Sequence, residues 1–143
     1  MLVLVLAALL PVFPMSGTPQ TPPPAIRTIG KGPMSGIEEP RQAAVRSAAE
    51  WSALWKTHDP DGELPPVDFS REMVVGVFLG SRPTAGYGVE IVRAVGNSAT
   101  LVVEYVETAP SRDAITAQIL TAPYHLAAIP QHGGEVRFQA VAK

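Results

Sequence analysis

No cysteine occurs among the 143 residues, which removes disulfide frameworks, cysteine-ligated zinc, iron–sulfur clusters, thiol nucleophiles and a lipoprotein acylation site. Charge is scarce and nearly balanced. Charged residues make up 17%, with 11 basic against 13 acidic side chains, a formal charge of −2 and a pI near 5.9, a balance that argues against general polyanion binding and hence against nucleic acid. His58, His125 and His132 are the three histidines, and no two share the i, i+4 helical spacing of HExxH zinc sites. Neither a Gly-x-Ser-x-Gly elbow nor a glycine-rich phosphate loop is present. Asp59, Asp61, Glu63 and Asp68 resemble the opening of a calcium loop but lack its spacing and terminal Glu, so a turn set by Pro60 and Gly62 is expected instead. These absences predict a chain without metal, cofactor or catalytic residue.

What is present is unevenly placed. Met1–Phe13 reads MLVLVLAALLPVF, an uncharged run of signal-peptide length and shorter than the roughly 20 residues that cross a bilayer. Residues 1–17 are therefore expected to be a signal peptide or apolar leader, giving an exported, periplasmic or extracellular product with no stable membrane anchor after cleavage. Ser16–Ala25, SGTPQTPPPA, is too rich in proline and small polar residues to bury a core. Residues 18–25 are expected to be a linker, and 26–143 the folded unit.

Within that unit, Ser47-Ala48-Ala49-Glu50 fits a capping box. Trp51, Leu54 and Trp55 follow at i, i+3 and i+4, which predicts an amphipathic helix near 48–58 with two indoles on one face. Weaker strands are expected at 26–31 and 42–46. Glu72–Leu79 is almost wholly apolar and β-branched, the pattern of a central strand buried on both faces. Tyr87–Val95 alternates, Gly96-Asn97 marks a hairpin, and Leu101, Val103 and Tyr105 share a face in the next run. The stretch 109–120 has no clear period. Tyr124–Ile129 and Glu135–Val141 complete the chain as strands flanking Pro130–Gly134, with Val136, Phe138 and Ala140 inward and Arg137 and Gln139 outward. Short turns and a lone helix predict an α+β fold, mainly antiparallel β-sheet with about six to seven strands, rather than a βαβ layout.

One segment carries the functional signal: Gly80-Ser81-Arg82-Pro83-Thr84-Ala85-Gly86-Tyr87-Gly88. It leaves the most apolar strand through a loop in which Pro83 restricts the backbone, Gly86 permits positive φ, and Arg82 and Tyr87 supply side chains favoured at interfaces. A plain hairpin connection with Tyr87 packed on the sheet fits the same residues. As a partner-binding element the candidates are Arg82, Pro83, Thr84, Gly86 and Tyr87, with an open sheet edge as the other route to a protein partner. His125, alternating with Tyr124 and Leu126 on a strand, reads as exposed or hydrogen-bonded. A hydrolase or ligand-binding role for His125 or His132 would need a polar cleft around either.

The run Arg82–Ile91, with Val67-Asp68-Phe69-Ser70 before it, Thr121–Leu126 after it and Glu50-Trp51-x-x-Leu54-Trp55 upstream, resembles the C-terminal domain of the protease-complex subunit PrcB family. Ala85 stands where that family usually has a second glycine. The resemblance implies an exported, non-catalytic module whose partner is a protein, in the family's namesake a surface subtilisin-like protease that the subunit stabilises. Pro83-Thr84-Ala85-Gly86-Tyr87 also resembles the active-site loop of chagasin-type cysteine-protease inhibitors, an alternative in which the loop occludes a protease.

Overall fold

The structure, a computed structural model, describes residues 25–143. The expected leader at 1–17 and all but the last residue of the expected linker lie outside the described residues. The described chain runs β1 (Arg27–Gly32), β2 (Arg41–Val45), α1 (Ala48–His58), β3 (Glu72–Phe78), β4 (Gly88–Gly96), β5 (Thr100–Thr108), β6 (Tyr124–Pro130) and β7 (Glu135–Ala140). The α+β, mainly antiparallel class expected from the sequence holds.

Among the described residues seven strands form two sheets, one of order β1-β6-β3-β2 and one of order β4-β5-β7. The first is antiparallel throughout. Its inner strand β3 alternates between two cores. Met73, Val75 and Val77 face the second sheet and pack with Val89, Ile91, Leu101, Val103, Tyr105, Ala127 and Ile129. Val74 and Phe78 face the opposite way, onto Trp51 and Leu54 of α1 with Ala43, Val45 and Leu126. A strand that is apolar and buried from Met73 onward thus has a layer on each side, which is what a doubly buried strand requires.

Ser47 caps α1, its Oγ accepting from the Glu50 N–H at 3.2 Å, while the Glu50 carboxylate accepts from the Ser47 hydroxyl instead of from the cap backbone. The helix is secured by its indoles. Trp51 Nε1–H donates to the Pro65 carbonyl at 3.0 Å and Trp55 Nε1–H to the Gly62 carbonyl at 3.1 Å. The acidic, proline-rich loop is thereby wrapped onto the helix, and neither the buried Trp51 nor the half-buried Trp55 leaves its N–H unpaired.

Three sequence expectations need correction. β7 pairs with β5, and does so in parallel; it does not follow β6 in an antiparallel arrangement. The connection crosses between sheets, with Gln131 Nε2–H bound to the Phe69 and Glu72 carbonyls on one side and the Glu135 N–H bound to the Ala99 carbonyl on the other. The inward face of β7 comprises Val136 and Phe138 only, Ala140 being exposed at the strand end. On β4 the alternation breaks at Val92, where a bulge between Ile91 and Arg93 makes Ala94 rather than Arg93 or Val95 the next buried side chain.

Candidate functional site

The Arg82–Tyr87 loop starts at a fixed point. Gly80 adopts φ +77°, and a Cβ there would lie 2.7 Å from the Pro40 nitrogen, so only glycine fits where the chain leaves β3. Beyond it, the backbone groups of Arg82 and Thr121 bond reciprocally at 2.7 and 2.9 Å. The buried Thr121 hydroxyl donates to the Thr84 carbonyl at 2.9 Å, and the Ala85 N–H donates to the Ala117 carbonyl at 3.0 Å. Gly86 takes φ +96°, and a Cβ there would lie 2.9 Å from the Pro110 side chain and 3.3 Å from that of Thr116. Ala85 is free of positive φ, so replacing a glycine there introduces no backbone strain.

The stretch 109–120, which had no legible period, is the strap that holds this loop. It forms no regular element, and it exposes Ile115, Ile119 and Leu120. Leu120 shares a small cleft with exposed Met34, beside Ser81 and Thr121. Sequence reasoning missed these side chains; the available signal was a group of large aliphatic residues in a segment lacking strand or helix period.

Arg82 and Tyr87 come together. The guanidinium carbon lies 5.8 Å from the Tyr87 ring centroid, within cation–π range. Both line an open cleft of about 480 Å³ with Leu79, Glu107, Thr108 and Ala109. Pro83 and Gly86 are exposed, whereas Thr84 and Tyr87 are half-buried. All five predicted residues therefore belong to one anchored loop, but only Arg82 and Tyr87 reach the cleft.

The histidines lie elsewhere and have other work. His125 is buried, not exposed, and joins the sheets: its Nδ1 accepts from the Ile91 backbone N–H at 2.7 Å and its Nε2 pairs with Thr28 Oγ1 at 2.9 Å. Nδ1 must be unprotonated to accept, so the proton resides on Nε2 and points to Thr28. Burial, reinforced by Lys31 and opposed by Glu90, holds its pKa down at about 4. His58 sits between Trp55, Phe78 and Tyr124, with Nδ1 2.8 Å from Ser35 Oγ. That hydroxyl also accepts from the Ile37 N–H at 3.0 Å, while the Gly36 N–H donates to the His58 carbonyl. The Ser35–His58 pair thus fastens the loop after β1 to the end of α1. Burial lowers the His58 pKa against the raising effect of Asp59. His132 spans a turn, Nε2 on the Asn97 carbonyl and Nδ1 accepting from the Gly134 N–H. Both nitrogens of His125 and of His132 are engaged within the fold.

Together these features describe a two-sheet α+β domain with a helix on one face and an anchored loop beside an open cleft. Residues 73–130 match the family model described as PrcB C-terminal, and the resemblance read from the sequence holds over that segment. The match runs from β3 through β6 and contains the loop, its strap and His125; α1 and Val67–Ser70 lie before it. No curated protein and no solved structure matches the chain.

Proposed function

We propose that this chain is an exported, non-catalytic binding domain of the PrcB C-terminal type that docks a protein partner, a secreted protease, through the Arg82–Tyr87 loop. The observation that carries the reading is the loop's pre-organisation. Its backbone is tied to the 117–121 segment at Arg82, Thr84 and Ala85, so little conformational entropy remains to be lost when Arg82 and Tyr87 meet a partner. The strap that holds the loop also exposes Ile115, Ile119 and Leu120, apolar area available to a partner that covers loop and strap together. The family match supports an accessory role over a catalytic one. The chagasin-type likeness stops at the loop, because α1 packs across the first sheet, a layer that an immunoglobulin-like sandwich lacks.

The test pairs the full chain with subtilisin-like proteases from the same exported fraction. Arg82→Ala combined with Tyr87→Ala should weaken binding by about tenfold or more, as expected for truncated interface anchors. Unchanged affinity removes the loop from the interface. Loss of protease activity on binding, rather than retention or protection, would favour the inhibitor reading, and recovery of an uncleaved leader from the cytoplasm would overturn export.

A further inference from the structure

Four strands lie at sheet edges: β1, β2, β4 and β7. Edges left open invite another strand unless bulges, charges or covering elements blunt them. β1 is interrupted by a bulge between Thr28 and Gly30, and Lys31 pairs with Glu90 of β4. β4 carries its own bulge, and its Ile91 N–H is taken by His125. β7 has no helix beside it, since α1 packs on the other sheet. β2, like β7, keeps unbroken register with its neighbour, here β3 over Arg41–Val45, and among the described residues no backbone group outside β3 pairs with it. Unlike β7, it has α1 beside its open edge.

A groove of about 480 Å³ follows that edge, lined by all five β2 residues and by Glu50, Ala53, Leu54 and Thr57 of α1. The helix positions are i, i+3, i+4 and i+7, one face. An edge strand facing one helix face across a trough is the geometry in which an extended peptide adds as a further strand, main-chain bonds supplying affinity and alternate side chains selectivity. Five strand residues span about 17 Å, so the complementary segment is short. Ala53 and Thr57 are small, which leaves room for a branched aliphatic side chain above the β2 edge.

The two ends carry opposite charge. Only Arg46 and Ser47 separate β2 from α1, so Glu50 lies toward the Val45 end and Arg41 marks the other. A strand added antiparallel to β2 runs from the Glu50 end to the Arg41 end. A second copy of this chain fits poorly: two-fold pairing of β2 with itself would place the second α1 on the same side of the sheet, where the first already walls the groove. We propose that the trough between β2 and α1 takes an extended peptide segment of a protein partner, added antiparallel to β2 with a basic residue toward Glu50 and a carboxylate toward Arg41. This rests on the protein-binding reading above but not on its loop.

The probe is a labelled peptide, Lys-Thr-Val-Thr-Val-Thr-Asp, titrated into the full chain and followed by anisotropy and by backbone amide shifts. Shifts should concentrate at residues 41–45 and 50–57. Ala53→Trp, at an exposed helix position, should fill the trough and weaken binding by about tenfold or more, while Arg82→Ala with Tyr87→Ala leaves it unchanged. Arg41→Glu should weaken this peptide and restore binding of one ending in Lys instead of Asp, a rescue that a misfolded variant cannot give. Absence of peptide binding overturns the proposal, as does binding indifferent to Ala53→Trp. Shifts confined to 82–87 would overturn it while leaving the loop reading intact. Concentration-dependent dimerisation abolished by Ala53→Trp, without peptide binding, would assign the trough to a second copy and also overturn it.

Discussion

The imidazole of His125 on β6 accepts a 2.7 Å hydrogen bond from the backbone N–H of Ile91 on β4, so one buried side chain joins the edge of the second sheet to the first. Without it the Ile91 amide would be a buried donor with no ladder partner, a loss of about 1–3 kcal/mol. The same ring reaches Thr28 on β1, and the apolar core formed by β3, β4, β5 and β6 closes beside it.

Acid should loosen that joint. In the folded state His125 is held at about 4 against an ordinary value of 6.5, chiefly by burial, with Lys31 lowering it and Glu90 opposing. Between these values the unfolded chain binds the extra proton, so stability is fully present above the unfolded value, declines as pH falls through the interval, and levels off below the folded value. His58, also lowered, adds a slope of the same sign. Urea midpoints measured across this range should fall with acidification, and His125→Gln should reduce the slope without abolishing it. Equal slopes in both proteins would dismiss His125 as its source.

Gly80 and Gly88 bracket the loop and should respond oppositely to alanine. At Gly80 the φ of +77° is costly for a side chain, and the added carbon would meet the backbone of Glu39 and Pro40. Gly80→Ala should therefore destabilise by about 2–4 kcal/mol. At Gly88 a Cβ meets nothing within 4 Å, so Gly88→Ala should be neutral or stabilise by up to about 1 kcal/mol through the unfolded chain. Thermal unfolding of the two variants decides it, and a Gly80→Ala protein as stable as the parent would refute the close approach.

Thr121→Val should free the loop while keeping its bulk. The substitution removes the hydroxyl that donates to the Thr84 carbonyl and should cost about 1–3 kcal/mol if that acceptor finds no other partner. Amide exchange at Ala85, whose N–H is bound to the Ala117 carbonyl, should quicken more than exchange in β3. Unaltered exchange at Ala85 would show that the strap holds the loop without Thr121.

Much of the architecture was legible from residue pattern. The capping box at Ser47 and the spacing of Trp51, Leu54 and Trp55 located α1, and the unbroken apolar run from Met73 marked β3 as doubly buried. Arg82–Tyr87 was recognisable as an unusual connection because Pro83 and Gly86 constrain backbone wherever they occur. The strap was not legible. Ile115, Ile119 and Leu120 carry no period, and what holds 109–121 in place is a set of contacts to a distant loop, the Thr121–Thr84 bond spanning 37 residues.

The sequence by itself determined which side chains prefer a core, where the chain must turn and which face of each strand is apolar, because these follow from local geometry and hydropathy. Only the tertiary structure decided which edge each strand joins. The alternation of Val136 and Phe138 is equally consistent with pairing to β6 or to β5; the Gln131 and Glu135 bonds carry the chain across to the second sheet, where β7 lies parallel to β5. Absence of cysteine had already excluded covalent cross-links. Packing and a buried histidine join the sheets instead, and that role depends on an Ile91 amide whose position no local pattern around His125 specifies.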